Sequence, residues 1–235
     1  MNDELKALLR QQATIYHCAD FITDDPVQFP HRYTSKQDIE ISGLLTAILS
    51  FGLRKQILKK AEELDRIMQG QPYRYVKEQK WKKDFPSERM DSFYRMLSYS
   101  QLHFYFEKLH SAYSQYDSLE EALGTYEGNP MERLCKFLDV SHKSPQKKLN
   151  MFLRWMIRPK GPVDFGLWTS FHSQDLIIPF DTHVCRISHE IGLINKPAFS
   201  LGNAIRVTQA LKEVFPNDPC LGDFALFGYG VNHKK

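Results

Sequence analysis

Residues 147–187 read KKLNMFLRWMIRPKGPVDFGLWTSFHSQDLIIPFDTHVCRI, and this stretch decides which fold and which site we predict. A Ser-Pro pair just before it is typical of a helix start, and the prolines and glycine after Arg158 are typical of a helix end. We therefore predict a helix over residues 145–158. Lys147 and Lys148 then lie in its first turn.

This predicted helix has two faces. One face is apolar and is predicted to pack on the core; it contains Leu149, Phe152, Leu153 and Met156. The opposite face is predicted to point outward, and it contains Lys147, Met151, Arg154 and Arg158. No acidic residue occurs between Asp139 and Asp164, whereas ordinary solvated faces mix both signs of charge. We interpret the basic face as a phosphate-binding surface, with a solvated helix face as the alternative.

An aspartate begins the next predicted helix. The apolar residues 176–180 are predicted to be extended, because the residue before a proline is pushed out of the helical region. Asp181 is suited to cap a helix over residues 182–191, which Gly192 would end. Two interpretations of Asp181 stay open: it only caps its own helix, or its carboxylate also accepts a proton at the mouth of a cleft.

Two motifs in this stretch resemble a known superfamily. PFDTHVCRI at residues 179–187 is similar to the (V/P)-D-T-H-(V/I)-x-R-(V/I) segment of the helix-hairpin-helix (HhH-GPD) DNA glycosylases, which include endonuclease III. KKLN at residues 147–150 is similar to the K-(T/R)-x-N that opens the second hairpin helix of the endonuclease III branch. The resemblance implies that Lys147 and Asp181 are catalytic, with Lys148 as the alternative nucleophile.

Most of the chain also resembles an uncharacterised bacterial family, DUF2400, which is related to that superfamily. The similarity is carried by KxLNMFLRWM, LIIPFDTHV and DFALFGYG. The superfamily's hairpin contains L-x-G-V-G-x-K, whereas residues 141–147 here read SHKSPQK and contain no glycine. Close approach of the hairpin backbone to a phosphate is therefore not expected, but contact through the helix N-terminus stays open.

The resemblance implies an all-α, two-lobed helix-hairpin-helix glycosylase-like fold with a cleft between the lobes. We expect one unit over residues 1–235, with sub-lobes of roughly 36–140 and 1–35 plus 141–235. Helical spacing of apolar residues along the chain, with few strand signals, independently predicts an all-α protein.

Further residues are predicted to contact the nucleic acid. For backbone contacts we predict Arg54, Lys143, Ser144, Lys148, Arg154, His183 and Arg186. For the pocket of a flipped-out base we predict Phe51, Trp155, Asp223, Phe224 and Phe227. Asp223 stands among apolar residues, so its carboxylate must be paired, functional or at a pocket edge. The loop at Phe51, Leu53 and Arg54 either fills the gap left by the base or is an ordinary turn between helices.

Composition limits the possible classes of protein. The chain has 235 residues, 42% of them hydrophobic, and a net charge of only +3, so charge alone does not indicate nucleic-acid binding. Its four scattered cysteines lack the spacing of zinc or iron–sulfur ligands, so we expect free thiols and neither metal nor cofactor. Without an apolar signal or membrane segment, we expect a cytoplasmic bacterial protein, not bound to membranes, that is a monomer.

Three hypotheses of function follow. The first is a base-excision-repair-type DNA glycosylase, which would also be an AP lyase if Lys147 forms a Schiff base. The second is an inactive nucleic-acid-binding protein of the same fold, which the glycine-free hairpin favours. The third is a metal-dependent hydrolase that uses His183 and Asp181, although no HxxxH or HExxH spacing occurs. DNA is the expected partner, and RNA stays open.

Overall fold

The computed structural model describes residues 1–232, and its regular structure is almost entirely helical. The helices are α1 (Asp3–Tyr16), α2 (Asp20–Thr23), α3 (Lys36–Leu49), α4 (Arg54–Ile67), α5 (Pro72–Lys77), α6 (Trp81–Asp84), α7 (Tyr99–Gln115), α8 (Leu119–Gly124), α9 (Pro130–Phe137), α10 (Lys147–Ile157), α11 (Thr182–Glu190), α12 (Leu201–Lys212) and α13 (Leu221–Asn232). Short 3₁₀ turns occur at Pro26–Gln28, Pro30–Arg32 and Ser173–Asp175. The prediction of an all-α chain is confirmed.

One small β-hairpin interrupts the helices. Strands β1 (Ser92–Tyr94) and β2 (Leu97–Ser98) pair antiparallel, and Arg95 in the turn has a φ of 53°. The hairpin was not predicted, because two strands of three and two residues are too short to leave an alternating pattern. Among the helices of residues 1–232, none is long and apolar enough to cross a membrane.

The chain divides into two compact units. The first contains Met1–Thr23, Gly128–Cys135 and the chain from Ser141 onward. The second contains Asp24–Glu127 and Lys136–Val140. The predicted sub-lobes had placed residues 24–35 with the N-terminus, whereas here they belong to the second unit. Lys147, Asp181 and Asp223 all belong to the first unit.

Helix α3 is the buried centre of the second unit. All its residues from Ile39 to Leu49 are buried, including the carboxylate of Glu40. This carboxylate accepts hydrogen bonds from the Tyr113 hydroxyl (2.8 Å) and from the backbone N–H of Leu119 (3.0 Å). A buried charge is tolerated only when such donors replace water. Burial, together with the neighbouring Glu40 charge, raises the pKa of Tyr113, which keeps its hydroxyl a donor.

Helix α13 organises the first unit, and its glycines allow neighbouring helices to approach closely. It packs along α1 and also against α11. A Cβ atom on Gly228 would lie 2.6 Å from Cε2 of Tyr16 in α1, and one on Gly230 would lie 2.7 Å from Cε1 of His183 in α11. The absence of side chains at these two positions therefore sets the spacing of both helix pairs.

The segment that leads to Asp181 is held in the apolar core of the first unit. Ile178 and Phe180 are fully buried in a cluster with residues of α1, α11, α12 and α13. The backbone N–H of Ile178 donates to the hydroxyl of Thr208 in α12 (3.1 Å). Anchoring of this extended segment determines where the following helix begins.

We expect Gly228→Ala to lower the free energy of unfolding by about 1–3 kcal/mol, because the added methyl group would push Tyr16 and α1 away from α13. Gly202→Ala is the matched control, since nothing lies within 4 Å of its Cβ position in α12. Alanine there should be neutral or raise stability by up to about 1 kcal/mol, because it favours helix. Urea denaturation of both variants measures the two effects. Equal effects would contradict the close packing described above.

Candidate active site

Lys147 is the first residue of α10, so the helix starts later than predicted. Gln146 occupies the N-cap position in a left-handed conformation with a φ of 46°, and no side chain caps the helix. The side-chain amide of Gln146 donates instead to the carbonyl of Ser141. The predicted start at Pro145, with a serine cap, is therefore wrong. The tight turn at Gln146 places Lys147 and Lys148 together in the first turn, as expected.

Asp181 caps α11, as the sequence predicts. Its carboxylate accepts a hydrogen bond from the backbone N–H of Val184 (2.8 Å). The helix runs over Thr182–Glu190, and Gly192 follows with a φ of 76°. One carboxylate oxygen thus has a structural role, while the side chain stays half-buried rather than enclosed. Capping does not by itself exclude a second role for the other oxygen.

The arginines of α10 do not face outward. Arg154 is 4% exposed and Arg158 is 2% exposed, so the prediction of an external basic face is wrong for both. Helical spacing grouped these two residues correctly, because both lie on one side of α10. That side packs against acidic residues of the first unit rather than against solvent. Arg154, which we had assigned to nucleic-acid contacts, is buried at this place.

The two arginines belong to a row of alternating charges that we call the ion chain: Asp218, Arg158, Asp164, Arg154 and Asp223. Arg158 holds both oxygens of Asp218 through Nε (2.9 and 3.0 Å). Asp164 is 1% exposed and binds both arginines, with 3.3 Å to Nε of Arg154 and a short contact to Arg158. Arg154 also binds the Asp223 carboxylate. Buried ions are tolerated in this arrangement because each charge has an opposite neighbour.

The ring of Phe224 packs against the ion chain. The guanidinium groups of Arg154 and Arg158 lie 4.6 and 5.4 Å from its centroid. His17 of α1 packs on the same ring at 4.7 Å. Burial and the neighbouring Arg158 charge lower the pKa of His17, so it is neutral near pH 7. The Phe224 ring therefore forms an apolar contact with two guanidinium groups.

Asp223 brings the predicted catalytic residues into one neighbourhood. Burial, with a smaller contribution from the charge of Asp181, raises the pKa of this carboxyl to about 6, although Arg154 and Lys147 act to lower it. Charges affect a pKa in this way only over short distances. Lys147, from the start of α10, and Asp181, from the start of α11, therefore lie within electrostatic reach of Asp223, whereas Arg154 is in direct contact with it. We call these residues, together with Arg154, the candidate site.

The second lysine of the pair differs from the first in its environment. Lys148 is half-buried, and burial together with the adjacent Lys147 ammonium lowers its pKa. A lysine with a lowered pKa reaches its nucleophilic neutral form more readily. The charge of Lys147 acts on Asp223, and Lys148 has the lowered pKa. Both lysines therefore remain candidate nucleophiles.

The other residues predicted to bind nucleic acid differ in exposure. Four are exposed: Arg54, Lys143, Ser144 and Arg186. His183 is half-buried beneath Gly230, and its Nδ1 lies 3.4 Å from a guanidinium nitrogen of Arg186. Arg186 is itself paired with Glu190 (2.6 Å). In the first unit, therefore, Lys143 and Ser144 are the exposed positions nearest in sequence to Lys147.

The residues predicted to line a base pocket are not all accessible. Trp155 is fully buried and Phe224 is 1% exposed, so neither offers an open ring face. Phe227 is half-buried, with its ring edge-on to Phe21. Phe51 belongs to the second unit, where its carbonyl accepts a hydrogen bond from the Tyr94 hydroxyl. Asp223 is paired with Arg154, which is one of the three alternatives that the sequence predicted for its carboxylate.

Sequence reasoning missed Asp164 and Asp218. Asp218 precedes a proline, a pattern that is typical of a helix start, but α13 begins at Leu221 and the carboxylate binds Arg158. The available signal was the pair of arginines, Arg154 and Arg158, within an otherwise apolar helix. Such arginines require acidic partners if the whole helix is buried.

Two cavities in the first unit have linings that include none of the four residues of the candidate site. One of about 470 Å³ is lined by Arg10, Ala13, Thr14, His17, Phe215 and Leu221. The other, of about 360 Å³, is lined by residues of 157–174 and by Asn217. Within residues 1–232, no group of three or more His, Cys, Asp or Glu is placed to hold a metal ion.

Comparisons with known proteins identify a family but no activity. A family model described as Protein of unknown function (DUF2400) matches residues 25–140 and 128–232. Searches of curated proteins and of solved structures found no match to the chain. Any statement about activity must therefore come from the residues described above.

Asp164→Asn should lower the free energy of unfolding by about 3 kcal/mol or more, because it leaves two buried guanidinium groups without a shared counter-charge. Glu190→Gln removes a carboxylate from an exposed pair with Arg186 and should change stability by less than about 0.5 kcal/mol. Chemical denaturation at pH 7 compares the two variants. A small effect at Asp164 would show that the ion chain does not hold the helices together.

Asp223 should give the protein a measurable pH dependence of stability. Its pKa is raised from 3.8 to about 6 on folding, so the folded state binds this proton more tightly. The wild-type free energy of unfolding should therefore fall as the pH rises from about 4 to 6, by up to about 3 kcal/mol relative to Asp223→Asn. Denaturation curves of both proteins at several pH values give this difference. Parallel pH profiles would contradict the raised pKa.

Proposed function

Because the chain belongs to the DUF2400 family, whose description assigns no activity, we propose a function from the site itself. We propose that the protein is a DNA glycosylase that also acts as an AP lyase. Lys147 is the nucleophile, with Lys148 as the alternative, and Asp181 assists it. The observation that carries this proposal is that the charges of Lys147 and Asp181 both act on the buried carboxyl of Asp223, which is itself bound to Arg154 of α10.

This set of groups fits the chemistry of base removal. Departure of a base from deoxyribose builds positive charge at C1′, and a carboxylate close to the sugar stabilises that charge. A neutral lysine amine that attacks C1′ displaces the base and forms an imine with the opened sugar. The imine makes the C2′ proton more acidic, so the strand breaks by β-elimination. The half-buried carboxylate of Asp181 suits the first task, and a lysine of the first turn suits the second.

Exposed residues support a nucleic-acid partner. In the first unit, Lys143 and Ser144 immediately precede α10 and are open to solvent. In the second unit, Leu53 is 66% exposed at the start of α4, directly before the exposed Arg54. An apolar side chain beside a cation suits insertion between bases next to a phosphate. DNA is the proposed partner, since the chemistry acts on deoxyribose.

The similarity of residues 147–150 and 179–187 to the helix-hairpin-helix glycosylases is consistent with this proposal. The second candidate function is a nucleic-acid-binding protein without activity. It is favoured by the turn at Gln146, which lacks glycine and therefore the close backbone approach to phosphate. It predicts salt-sensitive binding to DNA or RNA without any turnover.

Borohydride trapping tests the proposal. Wild-type protein incubated with abasic or oxidised-base duplex DNA and sodium borohydride should form a covalent adduct, because borohydride reduces the imine. Lys147→Gln should abolish the adduct, whereas Lys59→Gln, an exposed lysine of α4 in the second unit, should leave it unchanged. Denaturing gel electrophoresis measures the shifted DNA.

Two other outcomes are informative. An adduct that survives Lys147→Gln and disappears in Lys148→Gln would assign the nucleophile to Lys148. Absence of an adduct and of strand cleavage on every substrate, together with salt-dependent DNA binding, would reject the enzyme in favour of the inactive binding protein.

A further inference from the structure

Asp223 is held in place more firmly than a residue that merely lines a pocket. Its carboxylate binds the guanidinium of Arg154, and Arg154 is bound on its other side by Asp164. Asp164 is in turn fixed by Arg158, which also holds Asp218. The ion chain therefore determines the position of Asp223 through a buried series of contacts.

The direction of this contact brings Asp223 toward the start of α10. Arg154 follows Lys147 by seven residues, so the two lie on the same side of the helix, two turns apart. Helical side chains lean toward the N-terminus of their helix, so by this rule the long side chain of Arg154 extends toward the turn that contains Lys147. A carboxylate bound to its guanidinium lies close to that turn.

The surroundings of Asp223 contain few other charges. Helix α10 contributes Arg154 and Lys147, and α11 contributes Asp181. Cys220 lies just before α13, and burial raises its pKa, so it is an uncharged thiol. His17 of α1 packs on the adjacent Phe224 ring and is neutral near pH 7. The Asp223 side chain retains 18% exposure, which leaves one edge open for proton exchange.

We propose that Asp223 is a second functional carboxyl of the candidate site, beside Asp181, and that it accepts the proton that the Lys147 ammonium must release before it attacks. This inference rests on the proposed function. In the step, an N–H bond of the ammonium breaks and an O–H bond forms on Asp223. The electron pair left on Nζ then forms the bond to C1′ while the bond from C1′ to the base breaks. The proton passes from Asp223 to the departing base or, on an abasic site, to the C1′ oxygen, which leaves as water when the imine forms.

The protonation behaviour of Asp223 agrees with this role. A carboxyl whose pKa is about 6 is ionised at pH 7 and holds a proton more readily than an ordinary aspartate. Below pH 6 it is already protonated and accepts nothing from lysine. The rate of Schiff-base formation should therefore rise through about pH 6 and level off above it.

Abasic DNA separates this role from recognition of a base, because it contains no base to recognise. The rate of borohydride trapping on abasic duplex DNA is measured from pH 5 to 9.5 for wild type and for Asp223→Asn. We expect Asp223→Asn to be about 10- to 100-fold slower at pH 7 and to lack the rise near pH 6.

Asp223→Glu keeps the carboxylate and should recover part of the rate together with an inflection, which a purely structural role would not restore. Thermal unfolding and DNA affinity of each variant show that the protein remains folded and binds. A wild-type rate and pH profile in Asp223→Asn would overturn the inference and leave the proposed function intact. Loss of base excision with unchanged abasic trapping would also overturn it, and would place Asp223 in the base pocket. If wild-type protein traps no substrate, both proposals fail.

Discussion

The pairing of two buried arginines with three aspartates is the constraint on which the first unit depends. Arg154 lies in α10 and Arg158 directly follows it, and a buried guanidinium is tolerated only beside an opposite charge. Asp164, Asp218 and Asp223 supply those charges from the loop after α10, the turn before α13 and α13 itself. The ion chain therefore ties α10 to α13. Because α13 also packs closely on α1 and α11, the same contacts fix the surroundings of Asp181.

The candidate site lies at the end of this chain of charges. Lys147 begins α10 and Asp181 begins α11, so each is placed by a helix whose buried face is packed in the core. The charges of both residues affect the pKa of Asp223. Burial and the Asp181 charge raise this pKa. A carboxyl poised near neutral pH beside an amine is the kind of arrangement that proton transfer requires. Asp223 thus belongs both to the ion chain and to the proposed chemistry.

The surroundings of the buried carboxylates Glu40 and Asp223 differ between the two units. In the second unit, Glu40 is fully enclosed and accepts hydrogen bonds from the hydroxyl of Tyr113 and from a backbone N–H. In the first unit, Asp223 keeps one exposed edge and is paired with a cation. Full enclosure suits a structural role, because no proton or substrate reaches the group. Partial exposure at Asp223 allows exchange with solvent, and this difference is consistent with a functional role for the first unit.

The sequence by itself determined the helical content, the membership of the DUF2400 family and the capping of α11 by Asp181, because caps and glycine terminators act within a few residues. It also grouped Arg154 with Arg158 on one face of α10, since helical spacing is local. Which way that face points was decided only by the tertiary structure. The partners Asp218 and Asp223 lie 60 and 69 residues from the arginines they bind, and no local pattern connects them. The start of α10 was also misplaced, because a left-handed Gln146 is stabilised by its contact with Ser141 and not by residue preference.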